Sequence, residues 1–421
     1  MKRILLLVVL IALLCPRLAH GAPVLKAGDR VAICGDSITE QKIYSRFIED
    51  YLLACHPELN LTVMQFGWGG ERAPMFLARM DNDLKGFAPT VVTTCYGMND
   101  GAYRAFAPEI GKTYQDNMRA IVDKLKAQGV TVVVGSPGAV DSFSAFRGDV
   151  AQAKVYNENL AHLGELAKQV ATDTGMPFAD VHTPMMDTMA AAKAALGDNF
   201  LLAGNDGVHP NASGHLVMAY AFLKALGVDG DLGTITVDMK GPATATGGHK
   251  VLGGTNGTAQ IESSRYPFCF SGAPNDASGT ASMLPFLPFA QDLDRFMLVV
   301  KNLGTAQAKV TWGETSKTFA RADLEKGINL PVEFLSNPFG KAWANLDSAV
   351  AQQETWETFM IKSEISQNPW LLGQLDNDPA VADALTALGP PLWKREAKGM
   401  ALSRAQVVPV QHTITVSEVA G

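Results

Sequence analysis

The sequence predicts an α/β fold, a doubly wound parallel five-stranded sheet followed by a β-rich region and a helical segment, and three observations predict it. Between Arg30 and about Leu226, short β-branched runs alternate with longer amphipathic stretches. That alternation joins strands through helical crossovers, which pair them in parallel and place helices on both faces. Polar, glycine-containing turns follow the strands, at the edge where such sheets meet their ligands. Beyond Gly227 the character changes to Gly, Thr and Ser, with Gly247-Gly248, Gly253-Gly254 and Asn256-Gly257 marking turns.

The five strands are read at Val31 to Cys34, Leu61 to Phe66, Thr90 to Tyr96, Val130 to Gly135 and Phe178 to Val181, each a short apolar run rich in β-branched residues. Helical spacing falls between them, at Ile43 to Cys55, Ala73 to Lys85, Glu109 to Gln128 and Asp149 to Thr174, and Ser213 to Leu226 closes the unit. In the second half, Phe296 to Val300, Ala308 to Trp312 and Lys317 to Ala320 read as strands. Asn337 to Ile361 and Pro379 to Leu388 read as helices, and Gln406 to Val416 alternates like a final strand.

A chain of 421 residues that is 47% hydrophobic can bury substantial cores in two or three domains. Its 35 basic and 42 acidic residues give a net charge of -7, without a dense Lys/Arg block, which argues against a nucleic-acid partner. Lys2 and Arg3 precede an apolar run from Ile4 to Leu14, and Ala19-His20-Gly21 offers a small-residue cleavage site. Residues 1–21 therefore read as a secretory signal peptide, too short to span a bilayer, which takes about 20 residues in a helix. Cys15 follows Leu14, where a lipoprotein signal places a small residue. The expectation is a secreted or periplasmic protein with no stable membrane anchor. Cys34, Cys55, Cys95 and Cys269 form no C-x-x-C pair, so no zinc or redox motif is expected. They read as small buried hydrophobes, with disulfide pairing left open by the spacing.

Chemistry is concentrated at the strand ends of the first unit. Gly35-Asp36-Ser37-Ile38 follows the first strand and puts a hydroxyl where an open sheet presents its site. Gly67-Trp68-Gly69-Gly70 follows the second strand and Gly97-Met98-Asn99-Asp100 the third. Each can supply a hydrogen-bond donor to a developing oxyanion, a glycine amide in one block and the asparagine amide in the other. Asp206-Gly207-Val208-His209 precedes the last helix, and its three-residue spacing lets a carboxylate orient an imidazole.

Four such blocks in this order resemble the SGNH hydrolases, also called GDSL esterases, over about Val31 to Leu226. The resemblance implies the flavodoxin-like SGNH fold and a serine ester hydrolase without cofactor or metal. It makes Ser37 the nucleophile, Asp206 and His209 the rest of a triad, and Ser37, Gly70 and Asn99 the oxyanion hole. The chain then divides into a signal peptide at 1–21, an SGNH unit at 22–230, a β-rich accessory region at 231–330, and a helical segment with a final strand at 331–421. One departure stands out: Gln65 occupies a place where the family often has Asn. Gly70 is preferred to Gly69 because Glu71 follows it.

The same residues have plainer readings. Ser37 can cap a helix, Asp206 can shape a turn, and the glycines can permit a bend. His215 lies inside a helix and reads as structural, and His182 lacks a second histidine at ligand spacing. A dinucleotide fingerprint fails at Arg72, and P-loop and G-x-S-x-G motifs do not occur. Trp68 and Arg72 flank the oxyanion glycine and are candidate substrate-binding residues, with packing and a surface ion pair as their alternative. The function read from all this is hydrolysis of short-chain acyl esters, acetyl above all, on a carbohydrate. A lipase or lysophospholipase of the same family and a non-catalytic glycan-binding protein are the alternatives.

Overall fold

The computed structural model describes residues 24–146 and 149–419, so the signal peptide expected at 1–21 lies outside the described residues. The first sheet joins β1 (Arg30–Gly35), β2 (Thr62–Gln65), β3 (Val91–Cys95), β4 (Thr131–Gly135) and β5 (Phe178–Ala179). All pairs are parallel and the order is β2-β1-β3-β4-β5, the doubly wound arrangement expected. Because strand side chains alternate, Val31, Ile33, Val63 and Val133 feed one core while Ala32, Cys34, Met64 and Val132 feed another.

Helices cover both faces. On the second core lie α3 (Ala73–Asp83) and α4 (Pro108–Ala127), while α5 (Val150–Thr174) contributes to both. The other face carries α2 (Tyr44–Cys55), α6 (His182–Leu196) and α7 (Ala212–Ala225), and α1 (Ser37–Glu40) is a single turn after β1. The α6 helix was not read from the sequence: its alanine-rich stretch lacks the apolar spacing that marks an amphipathic helix.

The second half opens with strands β6 (Asp231–Asp238), β7 (Thr244–Ala245), β8 (His249–Gly253) and β9 (Thr258–Ser263). After the short helix α8 (Phe289–Leu293) come β10 (Arg295–Lys301), β11 (Gln307–Trp312), β12 (Thr315–Ala320), α9 (Arg321–Lys326), β13 (Ile328–Asn329) and α10 (Leu330–Glu333). With β14 (Val410–Val419) they form sheets ordered β13-β10-β6-β7 and β12-β11-β14-β9-β8. Phe296, Trp312, Phe339 and His412 interlock between them.

Helices α11 (Gly340–Phe359), α12 (Asn368–Gln374) and α13 (Pro379–Arg404) follow, with a turn of π-helix at Met360–Ile365 after α11. The segment after residue 330 is thus divided. Its last strand completes the sandwich, whereas Met360, Ile361 and Ile365 enter the core beneath β2 and α3. Apolar residues from the first unit and the sandwich form one continuous cluster, so the units are packed through a shared core. The α13 helix runs well past the Leu388 end expected, through Pro390 and Pro391, and Glu396, Gly399 and Ser403 are buried along its later turns.

Candidate active site

The ends of three adjacent strands and the loop before α7 deliver the site. β1 ends at Gly35, and Asp36 caps α1 by accepting the Ile38 amide at 3.0 Å, which sets Ser37 at the first helical position. Gly35 has no room for a side chain: an added Cβ would lie 2.1 Å from Thr39 Oγ1. The Gly67–Glu71 turn after β2 and the Gly97–Asp100 turn after β3 flank it. Gly70 has φ +73° and Gly97 φ +124°, conformations that favour glycine.

Ser37 Oγ lies 2.8 Å from His209 Nε2, and His209 Nδ1 lies 2.7 Å from Asp206 Oδ2. Asp206 Oδ1 also accepts the Val208 and His209 amides, both at 2.9 Å, so the carboxylate is fixed before it meets the ring. Burial pushes the Asp206 carboxyl up, but the donors from His209 and Val208 outweigh it and hold it below its ordinary value. Gly204 and Gly207 make this turn possible, since a Cβ at either would strike backbone, His209 O at 1.8 Å and Ala145 O at 2.5 Å. A hydroxyl on an imidazole whose far nitrogen is held by a carboxylate is the arrangement that activates serine.

Asn99 Nδ2 donates to the Glu71 carbonyl at 3.1 Å and, at a long 3.4 Å, to Asp36 Oδ2, which ties the three strand ends together. In the Gly67–Glu71 turn, the Trp68 amide donates to Gly35 O, the Gly69 amide to Glu40 Oε2, and the Glu71 amide to Trp68 O. The Gly70 amide has no hydrogen-bond partner among the described residues. Gln65 supports the turn in its own way. Its Oε1 accepts the Gly67 amide at 2.9 Å, and its Nε2 reaches across to Thr358 Oγ1 at 2.6 Å on α11. Burial drives Asp36 up to about 7 and Asp100 up to about 6, the latter against donors from Ala73 and Gly97.

His215 is buried: its Nδ1 accepts the Tyr44 amide at 3.2 Å and its Nε2 meets Gln41 Oε1 at 3.0 Å. Burial, with the Arg46 charge nearby, lowers it to about 3, so it stays neutral. His182 Nδ1 donates to Gly138 O at 2.9 Å. Among the described residues, no group of three His, Cys, Asp or Glu is placed to hold a metal, and Cys34, Cys55, Cys95 and Cys269 are free thiols.

Trp68 and Arg72 sit beside the Gly70 turn, but they do not line the cavity next to His209. The Trp68 ring has Arg79 and Lys362 each 5.0 Å from its centroid, and the Arg72 side chain is exposed. The cavity, of about 830 Å³, opens beside Asp206 and His209, and its far walls come from the second half: Phe268, Phe270, Leu335, Trp343 and Asp347. Arg46 pairs with Asp347 across it at 2.7 Å. Local motifs carried no signal for these walls, because they lie far along the chain from the blocks they face.

The proteins this chain is similar to support an ester hydrolase. Residues 33–217 match the GDSL-like lipase/acylhydrolase family, as the strand-end motifs led us to expect. An acetylxylan esterase of Geobacillus stearothermophilus is 25% identical over 229 residues, which are 51% of this chain and 97% of that protein. A solved structure of a gut microbial diltiazem-metabolizing enzyme, 22% identical, matches with a TM-score of 0.72 over 94% of this chain and 98% of its own. That likeness in fold extends through the second half.

Proposed function

We propose that the protein is an exported serine esterase that removes acetyl or other short acyl groups from a carbohydrate. The observation that carries this reading is the unbroken chain from Ser37 Oγ through His209 to Asp206, with links of 2.8 and 2.7 Å, at the carboxyl edge of the sheet. His209 takes the Ser37 proton as Oγ attacks the acyl carbonyl, and Asp206 holds the ring's tautomer and steadies the imidazolium. The developing oxyanion takes the Gly70 amide, the Ser37 amide and the Asn99 hydrogen now spent on the long contact to Asp36. His209 then returns the proton to the departing alcohol, and water, activated by the same imidazole, releases the acid.

The substrate class is supported by the acetylxylan esterase relative and by a cleft whose walls mix aromatic rings with Gln41, Asn205, Ser271 and Thr280. Export is supported by the basic and apolar start of the chain. Hydrolysis of 4-nitrophenyl acetate against the octanoate ester, with Ser37→Ala prepared identically, tests the proposal. Faster turnover of acetate and an inactive variant support it. Faster octanoate turnover moves the reading to a lipase, and activity unchanged in Ser37→Ala removes the triad.

A further inference from the structure

We propose that Lys362, carried by the C-terminal helical segment, is a positioning residue for the oxyanion loop, acting through Glu40. This rests on the reading of Ser37 and Gly70 given above. Glu40 stands three residues after Ser37 on the same helical turn, and its carboxylate is shared. Oε2 accepts the Gly69 amide at 2.5 Å, and Oε1 pairs with Lys362 Nζ at 2.6 Å. The same ammonium lies 5.0 Å from the Trp68 ring centroid, so it touches the Gly67–Glu71 turn by two routes.

The loop and α1 are pressed together before any side chain acts. A Cβ on Gly67 would fall 2.3 Å from the Glu40 amide nitrogen and 2.6 Å from the Thr39 carbonyl carbon. The Trp68–Gly69 peptide, next to the Gly70 amide, is held at both ends: its carbonyl accepts the Glu71 amide and its N–H donates to Glu40. Glu40 holds the N–H end, and Lys362 holds Glu40.

Lys362 is itself held. It lies in the π-helical turn, where Met360, Ile361 and Ile365 are buried beneath α3. Asn82 Nδ2 donates to Ile365 O at 3.0 Å, and the Ser366 hydroxyl donates to Asp83. The side chains of Lys362 and Glu40 are 29% and 24% exposed, and partly exposed pairs contribute little to global stability. The pair should therefore be read in the rate and not in the fold. On this account the second half of the chain completes the active site through the turn that carries Gly70.

The test compares full-length Lys362→Met, Lys362→Arg and Glu40→Gln with wild type on 4-nitrophenyl acetate, with Ser37→Ala as reference. Lys362→Met is expected to lower kcat about 10-fold, a fraction of what a fully misplaced group costs, with KM changed less than about twofold. Lys362→Arg restores most of the rate. Glu40→Gln, which leaves the C-terminal segment untouched, gives a similar drop, so the result does not hang on the folding of one variant. Lys362→Met and Glu40→Gln combined cost no more than the worse single change, because they act along one chain of contacts. A kcat for both single variants within about twofold of wild type, or a loss confined to KM, overturns the proposal while an inactive Ser37→Ala leaves the triad standing. Turnover surviving in Ser37→Ala would remove the underlying reading instead.

Discussion

Asn99 places one side-chain amide where three loops meet, donating to Glu71 O and reaching Asp36. The oxyanion role proposed for it predicts that Asn99→Ala lowers kcat by roughly 10² to 10³ with a modest change in KM, since the bond strengthens mainly in the transition state. Asp206→Asn tests the other end of the site. The neutral amide keeps the shape but not the tautomer, and kcat should fall roughly 10⁴-fold. Steady-state kinetics on a short acyl ester check both, and a loss seen only in KM would contradict either role. Asn99 was legible because its block follows a strand closely, and Asp206 because its block leads into the closing helix, so element and block could be read together. Trp68 was legible as a neighbour of the turn, but its cation partners were not: Arg79 lies on the next helix and Lys362 comes from the far end of the chain.

At the scale of the element, strand and helix periods were readable wherever burial imposes them, as in the fully buried run of β3. They failed where composition hides the period, in α6, and where a stop signal is overridden, at Pro390-Pro391 within α13. Pairing across the chain was not readable at all. The Gln65 position, a departure from the family's habit, becomes intelligible only with α11 beside it, because the longer side chain bridges from the Gly67 amide to Thr358. The packing of that turn on α1 predicts that Gly67→Ala destabilises the protein by about 1–3 kcal/mol, the cost of forcing backbone apart. Chemical denaturation of the variant measures it, and an unchanged midpoint would show that α1 yields freely.

At the scale of the whole molecule, two of the buried titratable networks among the described residues have opposite pH responses. In the sandwich, Ser263 Oγ lies 2.7 Å from His249 Nδ1 and 2.9 Å from His412 Nε2. Trp312 donates to His412 Nδ1 at 3.1 Å, and His249 Nε2 donates to Leu232 O at 2.8 Å, so both rings are neutral. Burial lowers them to about 4 and about 3. The unfolded chain therefore binds protons first, and this stability is lost as pH falls from the ordinary histidine range through those values. Between α2, α11 and α13, burial raises Glu354 to about 8 and Glu396 to about 7, with Glu49 and Glu357 also raised. Here the folded state holds the protons, so stability is lost as pH rises from the ordinary carboxylate range through about 8. Glu396→Gln should therefore reduce the drop in Tm between pH 5 and pH 8, and an identical drop in variant and wild type would contradict this.

The central claim is that Ser37 is the nucleophile, and covalent trapping tests it most directly. The protein is treated with a fluorophosphonate and the adduct located by peptide mass spectrometry, alongside Ser37→Ala and His209→Gln. The account predicts a single adduct on Ser37, absent from Ser37→Ala and formed far more slowly in His209→Gln. An adduct on another serine, or Ser37 labelling unaffected by the loss of His209, would contradict it.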